Sequence, residues 1–238
     1  MTYAIKAPAR YVQGAGELDN LGRSAKKLGN KFLVICSDNS RVRFGQRVEA
    51  SLAAQEKQVV FTTFHGEATK DEVFAKMDEC KAQGCDVVVG MGGGKALDTA
   101  KAAAENLGLP CVVIPTVASN DAPCSGVAVL YNDAGVVIKA VLMRRNPDLV
   151  LVDTGIIAEA PRRLFAAGLG DALSTWFEAR AGKNSGARTM ARGNAGPSVL
   201  RPADGKGPGR PGCCRPASGH PRTGGRGGGV HLSQRPGV

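Results

Sequence analysis

Between residues 87 and 101 the chain reads VVVGMGGGKALDTAK. A β-branched apolar run stops in glycines, passes one lysine and continues as an alanine-rich segment. Gly92, Gly93 and Gly94 let the backbone come close to an anion, the helix that follows offers free N–H groups with a positive dipole end, and Lys95 adds a full charge. Together these suit a pyrophosphate. The stretch is neither common phosphate fingerprint. G-x-G-x-x-G starting at Gly90 would need glycine where Lys95 stands, and a P-loop would need glycine at Val89 and Ser or Thr at Ala96. A tight strand-to-helix turn with a solvated lysine accounts for the same residues, and both readings stand on local grounds. Asp38, closing KFLVICSD, either accepts hydrogen bonds from a ribose or forms a helix cap or turn.

These residues need elements to position them. KFLVICSD (31–38), DVVVGMGG (86–93), PCVVIPT (110–116) and PDLVLVD (147–153) are short apolar runs ending in turn chemistry. Helix-compatible segments lie between them at 71–84 and 95–108. Runs that are apolar at every position suit strands buried on both faces, so the rhythm predicts a βαβ fold with a parallel sheet covered by helices. In such a sheet, ligands bind at the carboxyl ends of the strands, which here are Asp38, GMGGGK, PTVASND and VDT. Residues 126–143 form two alternating runs that meet at NDAG, a hairpin signal. From APRRLFAAGLGDALSTWFEARA onward the pattern turns helical, and a second domain is expected to begin near Pro161.

Composition narrows the function classes. The net charge of +10 over 238 residues would point to nucleic acid or an acidic surface, but it is unevenly placed. Residues 191–238 hold eight of the 31 basic residues and one of the 21 acidic ones, which leaves 23 basic against 20 acidic, or +3, for residues 1–190. The same 48 residues contain 13 of the 32 glycines and seven of the 13 prolines, a composition expected to stay disordered. No stretch reaches the roughly 18 apolar residues of a membrane span, and MTYAIKAPARY lacks a signal-peptide core, so a cytoplasmic protein is expected. Five of the seven cysteines, Cys36, Cys80, Cys85, Cys111 and Cys124, lie singly in apolar or turn contexts without metal-ligand spacing, as reduced thiols do.

The combination of GGGKALDTAK, IPTVASNDAPCSGVAVLY and AAGLGDALSTWFEARA closely resembles the glycerol dehydrogenases of the iron-containing alcohol dehydrogenase superfamily, from PARYVQGAGEL to about Met190. The resemblance implies an N-terminal α/β domain that binds NAD, a helical domain that supplies most of a metal site, and a cleft between them that takes glycerol or a similar polyol. Position by position, it makes Asp38 the adenosine-ribose partner and places Gly94 and Lys95 in the pyrophosphate cradle. It makes Thr116, Ser119, Ser125, Val127 and Tyr131 further dinucleotide contacts, Asp121 the partner of the glycerol hydroxyls, and Asp171 the first ligand of a catalytic zinc. Each has a local rival. Thr116 and Ser119 serve equally to satisfy a loop backbone, Asp121 to form an Asx turn, Tyr131 to pack in the core and Asp171 to cap a helix.

The implied chemistry is hydride transfer from a carbinol carbon to the nicotinamide, with zinc lowering the hydroxyl pKa. Such a site needs about three protein ligands. The resemblance supplies Asp171 alone. The two histidines of the family's helical domain have no counterpart, because His65 precedes the motifs and His220 and His231 lie in the Gly/Pro/Arg-rich segment. That segment reads as the product of a GC-rich gene translated out of frame from near residue 190. The expected organisation is an NAD domain at 1–162, the start of a helical metal domain at 163–190 and a disordered tail at 191–238. The expected function is an NAD-dependent glycerol dehydrogenase by family, inactive in this chain, with homo-oligomers as in the intact family. Two other classes remain open: a nucleotide-binding remnant without turnover, and nucleic-acid binding through the basic tail, which lacks aromatic residues for stacking.

Overall fold

The computed structural model describes residues 6–185. The tail at 191–238, His220 and His231, and the reading-frame expectation lie outside those residues. Eight strands follow one another: β1 (Tyr11–Gly14), β2 (Lys31–Cys36), β3 (Gln58–Thr63), β4 (Val87–Gly92), β5 (Cys111–Pro115), β6 (Val127–Tyr131), β7 (Val137–Leu142) and β8 (Leu149–Asp153). The helices are α1 (Leu21–Ala25), α2 (Asp38–Ala53), α3 (Lys70–Ala82), α4 (Gly94–Leu107), α5 (Thr154–Ala158) and α6 (Arg162–Ser185). Six strands form one parallel sheet in the order β1-β8-β5-β4-β2-β3, and β6 pairs antiparallel with β7 in a separate hairpin.

The four strands expected from their apolar runs are the sheet's inner members. Because successive side chains point to opposite faces, Phe32, Val34 and Cys36 of β2 join Val87, Val89 and Met91 of β4 on one face, where Phe44, Val48 and Leu52 of α2 cover them. Leu33, Ile35, Val88 and Val113 fill the other face against Leu97, Ala100 and Ala104 of α4. Gly90 lets α4 sit this low on the sheet, since a Cβ there would lie 2.7 Å from the Cβ of Ala100. The alanine run of α4 has a second use. Ala102 and Ala103 admit Val73 and Met77 of α3 and Ala128, Leu130 and Met143 around the hairpin, forming a third cluster.

Sequence patterning does not reveal β1, β3 and α2. Both strands are sheet edges with half-exposed side chains; β1 has no continuous apolar run, and that of β3, Val59 to Phe61, is flanked by polar Gln58 and Thr62. α2 starts where Ser37 caps it, its hydroxyl oxygen accepting from the Ser40 N–H at 3.2 Å. β2 therefore ends at Cys36, and Asp38 lies in the first turn of a helix.

From β2 the chain crosses outward to β3, whereas from β4 it crosses to β5 on the opposite side. The strand order thus reverses between β2 and β4, which opens a crevice above their carboxyl ends.

Candidate functional site

The crevice is a cavity of about 390 Å³ lined by Ser37 and Ser40 from the start of α2, Phe64 and Gly66 from the loop after β3, residues 91–96, and Thr116 after β5. α4 opens on it with no side-chain cap, so the first N–H groups of the helix point to whatever occupies the space. Gly94 is needed because the Asn120 side chain crosses behind it; a Cβ would lie 2.8 Å from Nδ2. The Thr116 N–H donates to the Gly92 carbonyl at 3.0 Å, which ties the loop after β5 to the glycine turn.

Lys95 is not a freely solvated lysine. Its ammonium lies 2.6 Å from Oε2 of Glu67 and 4.8 Å from the centroid of the Tyr131 ring. Tyr131 accordingly sits half-buried at the end of β6 as a face for a cation, and its N–H donates to the Ala68 carbonyl at 2.9 Å. Asp38 is exposed in the first turn of α2, where its carboxylate accepts from the Thr63 hydroxyl at 2.7 Å. It is not the cap of its helix; Ser37 is.

The loop from Thr116 to Val127 is held from below by Lys101, which sequence reasoning missed. This lysine is 2% exposed, and its ammonium donates to the carbonyls of Ala122 at 2.8 Å and Val127 at 2.5 Å and to the Ser125 hydroxyl at 3.1 Å. Asp98, one turn earlier on α4, forms an ion pair with it through Oδ1 at 2.8 Å, while Oδ2 accepts from the Val129 N–H at 3.1 Å. Burial pushes the Asp98 carboxyl above its ordinary pKa against the pull of Lys101. Ser125 and Val127 are thus anchor points of the loop. The signal for Lys101 was a lysine three residues after an aspartate on the buried side of an alanine helix.

Asp121 and Asp171 come together. The Asp121 N–H donates to Oδ2 of Asp171 at 3.0 Å, and the Asx turn at this point is made by Asn120, whose Oδ1 accepts from the Ala122 N–H. Asp171 lies well inside α6, so it does not cap a helix. α6 approaches the loop closely because Gly168 faces the Ala118 carbonyl, where a Cβ would clash. Between loop and helix is a mostly apolar cavity of about 490 Å³, lined in part by Val117, Asn120, Asp121, Thr154 and Phe165. Ser119 lies half-buried in the same loop.

A sequence model described as "iron-containing alcohol dehydrogenase" matches residues 8–154. The chain belongs to the iron-containing alcohol dehydrogenase family. The chain is 43% identical over 205 residues to a glycerol dehydrogenase of Escherichia coli and 45% identical over 201 residues to one of Pseudomonas putida. The matches cover 86% and 84% of this chain but 56% and 55% of those proteins, so the chain spans about half the length of the relatives it matches. The crystal structure of a probable glycerol dehydrogenase from Sinorhizobium meliloti superposes with a TM-score of 0.75 at 39% identity, covering 82% of this chain and 53% of that one.

Within this fold the expected residues fall into two groups. Gly94, Lys95 and Thr116 line the crevice at the strand reversal, with Asp38 and Tyr131 beside it. Asp121 and Asp171 meet at the loop–α6 junction, beyond Ser119 and Ser125. The described residues contain no group of three or more His, Cys, Asp or Glu side chains placed to hold a metal ion. His65 is exposed beside Glu72, its Nδ1 3.0 Å from Oε2. Burial pushes the thiols of Cys36 and Cys80 up to about 11 and that of Cys111 up to about 12, so they stay protonated at neutral pH and are poor ligands and nucleophiles. No helix among the described residues is long and apolar enough to cross a membrane.

Proposed function

We propose that residues 6–162 belong to the NAD-binding domain of a glycerol dehydrogenase, that 163–185 begin its helical metal domain, and that this chain binds the dinucleotide without turning glycerol over. The observation that carries the cofactor reading is the uncapped start of α4 facing the crevice at the β2–β4 reversal, with Lys95 on its rim. A pyrophosphate fits there: Gly93 and Gly94 leave the N–H groups accessible, and Lys95 supplies the charge. Asp38 and Thr63 stand at the end of the crevice suited to the adenosine ribose. The resemblance supports Thr116, Ser119, Ser125, Val127 and Tyr131 as further contacts to the dinucleotide, with Thr116 lining the crevice and Ser125 and Val127 lining a separate cavity that includes Asp121. When bound, the nicotinamide takes up the hydride lost by the carbinol carbon.

Asp121 is exposed beside the cavity between the loop and α6, and its carboxylate is suited to accept hydrogen bonds from the hydroxyls of glycerol or a similar small polyol. The family's zinc is a different matter. A zinc site needs about three protein donors. Asp171 offers one carboxylate, one oxygen of which already accepts the Asp121 N–H. These residues do not fit a zinc ion, so no step here runs through one. Hydroxyl activation is then missing, and glycerol oxidation is expected at background level.

NADH titration followed by quenching of Trp176 emission or by calorimetry, alongside a glycerol oxidation assay with added zinc, tests both halves. Saturable NADH binding with no NADH production is the expected result. Absence of binding would remove the cofactor reading, and zinc-dependent turnover would remove the inactive one.

A further inference from the structure

We propose that Glu67 sets the affinity of the dinucleotide site by competing with the cofactor's phosphates for Lys95. The inference rests on the cofactor reading above, and it concerns a residue that no sequence motif singles out.

Glu67 is mounted rather than loose. Its Oε1 accepts from the Ala68 N–H at 3.1 Å while Oε2 reaches Lys95 at 2.6 Å. Ala68 is fully buried and Thr69 bridges to Tyr131, so the backbone carrying the carboxylate is tied to the end of β6. The Glu67 side chain is 24% exposed and that of Lys95 43%, with the Tyr131 ring against the ammonium. Lys95 also lines the 390 Å³ crevice. One ammonium therefore faces both a fixed carboxylate and the space proposed for a pyrophosphate.

Charge decides the consequence. The Lys95–Glu67 pair is neutral as a unit, so an arriving dianion meets only the roughly half positive charge of the α4 N-terminus until the pair opens. Opening it costs the ion pair and leaves a carboxylate beside the phosphates. Glu67 thereby weakens cofactor binding through Lys95, as a positioning residue that loosens the grip and favours release.

The test measures NADH and ADP-ribose affinity in the full chain for wild type, Glu67→Gln, Lys95→Ala and the double variant. Glu67→Gln keeps a carbonyl oxygen for the Ala68 N–H while removing the charge. It should bind about two- to fivefold more tightly, the scale of a half-exposed ion pair, with a steeper loss of affinity as salt rises. The gain should shrink in the Lys95→Ala background. A merely structural role would lower the melting temperature and weaken binding. Unchanged or weaker binding in a Glu67→Gln chain that melts like wild type overturns the proposal, and so does a gain undiminished without Lys95. If Glu67→Gln melts early, Glu67→Asp replaces it: the shorter side chain keeps the charge but draws it away from Lys95, and affinity that fails to rise overturns the proposal. Wild type that binds neither probe would instead remove the cofactor reading, and the role of Glu67 with it.

Discussion

The backbone N–H of Asp121 donates to the carboxylate of Asp171 across 50 residues of chain. This hydrogen bond joins the loop after β5 to α6, and it places the two carboxylates that the family resemblance assigns to substrate and metal at one junction. Removing the acceptor should loosen the loop. Asp171→Ala should cost about 1 kcal/mol at this partly exposed site and speed amide exchange at Asp121 about fivefold, with little change at Val89 in the sheet. Unaltered exchange at Asp121 would mean that the Gly168–Ala118 contact alone holds the loop.

Gly93→Val separates folding from binding. A Cβ at Gly93 meets Val117 Cγ2 at 3.5 Å, ordinary contact, so the chain should fold and melt nearly as wild type. The added methyl groups stand where a pyrophosphate must approach α4, and NADH binding should fall below detection. Lys95→Ala should weaken binding by about 0.5–1.5 kcal/mol, modest because Lys95 must leave Glu67 before it can serve the cofactor. Calorimetry on both variants checks this, and full affinity in Gly93→Val would move the pyrophosphate elsewhere.

Asp38 should decide between the two nicotinamide dinucleotides. With the ribose placed as proposed, this exposed carboxylate would repel a 2′-phosphate, so NADH should bind more tightly than NADPH, and Asp38→Asn should narrow the difference by about tenfold. Competition titrations read the ratio directly. NADPH preference in the wild-type chain would exclude Asp38 from the ribose site.

Stability should fall in acid through Asp153. This carboxylate, buried at the end of β8, accepts from the N–H groups of Gly16, Leu18 and Gly155 and from Arg47 at 2.8 Å. Burial alone would raise its pKa, but the backbone donors and Arg47 outweigh that and hold it below the ordinary value of 3.8. A depressed folded-state pKa means that its stabilisation is complete above pH 3.8 and is lost as pH falls from there through the folded value. Asp153→Asn should lower stability at neutral pH by about 2–3 kcal/mol, discounted for the part-exposed guanidinium, and flatten the acid limb of the profile. Denaturant melts from pH 3 to 7 test both effects.

The sequence alone determined the inner sheet, the α4 turn and the hairpin. β2, β4, β5 and β8 are buried on both faces, and that burial writes a continuous apolar run which any reader of residues 31–36 or 87–92 meets. The glycines before Lys95 likewise announce a close approach to backbone. Tertiary structure decided the partners. β1 and β3 are half-exposed edges, the first without an apolar run and the second with only Val59 to Phe61, and pairing with β8 and β2 made them strands. Ser37 rather than Asp38 caps α2 because the cap is chosen by where β2 stops hydrogen bonding to β4. Glu67 meets Lys95, Lys101 meets the Ser125 loop, and Asp121 meets Asp171 at separations of 28, 24 and 50 residues. No local periodicity reaches that far. Charged side chains have no preferred partner along the chain; the packing of α4 on the sheet, of the β6–β7 hairpin on α4 and of α6 on the loop after β5 is what brings each of them to its counter-charge, donor or acceptor.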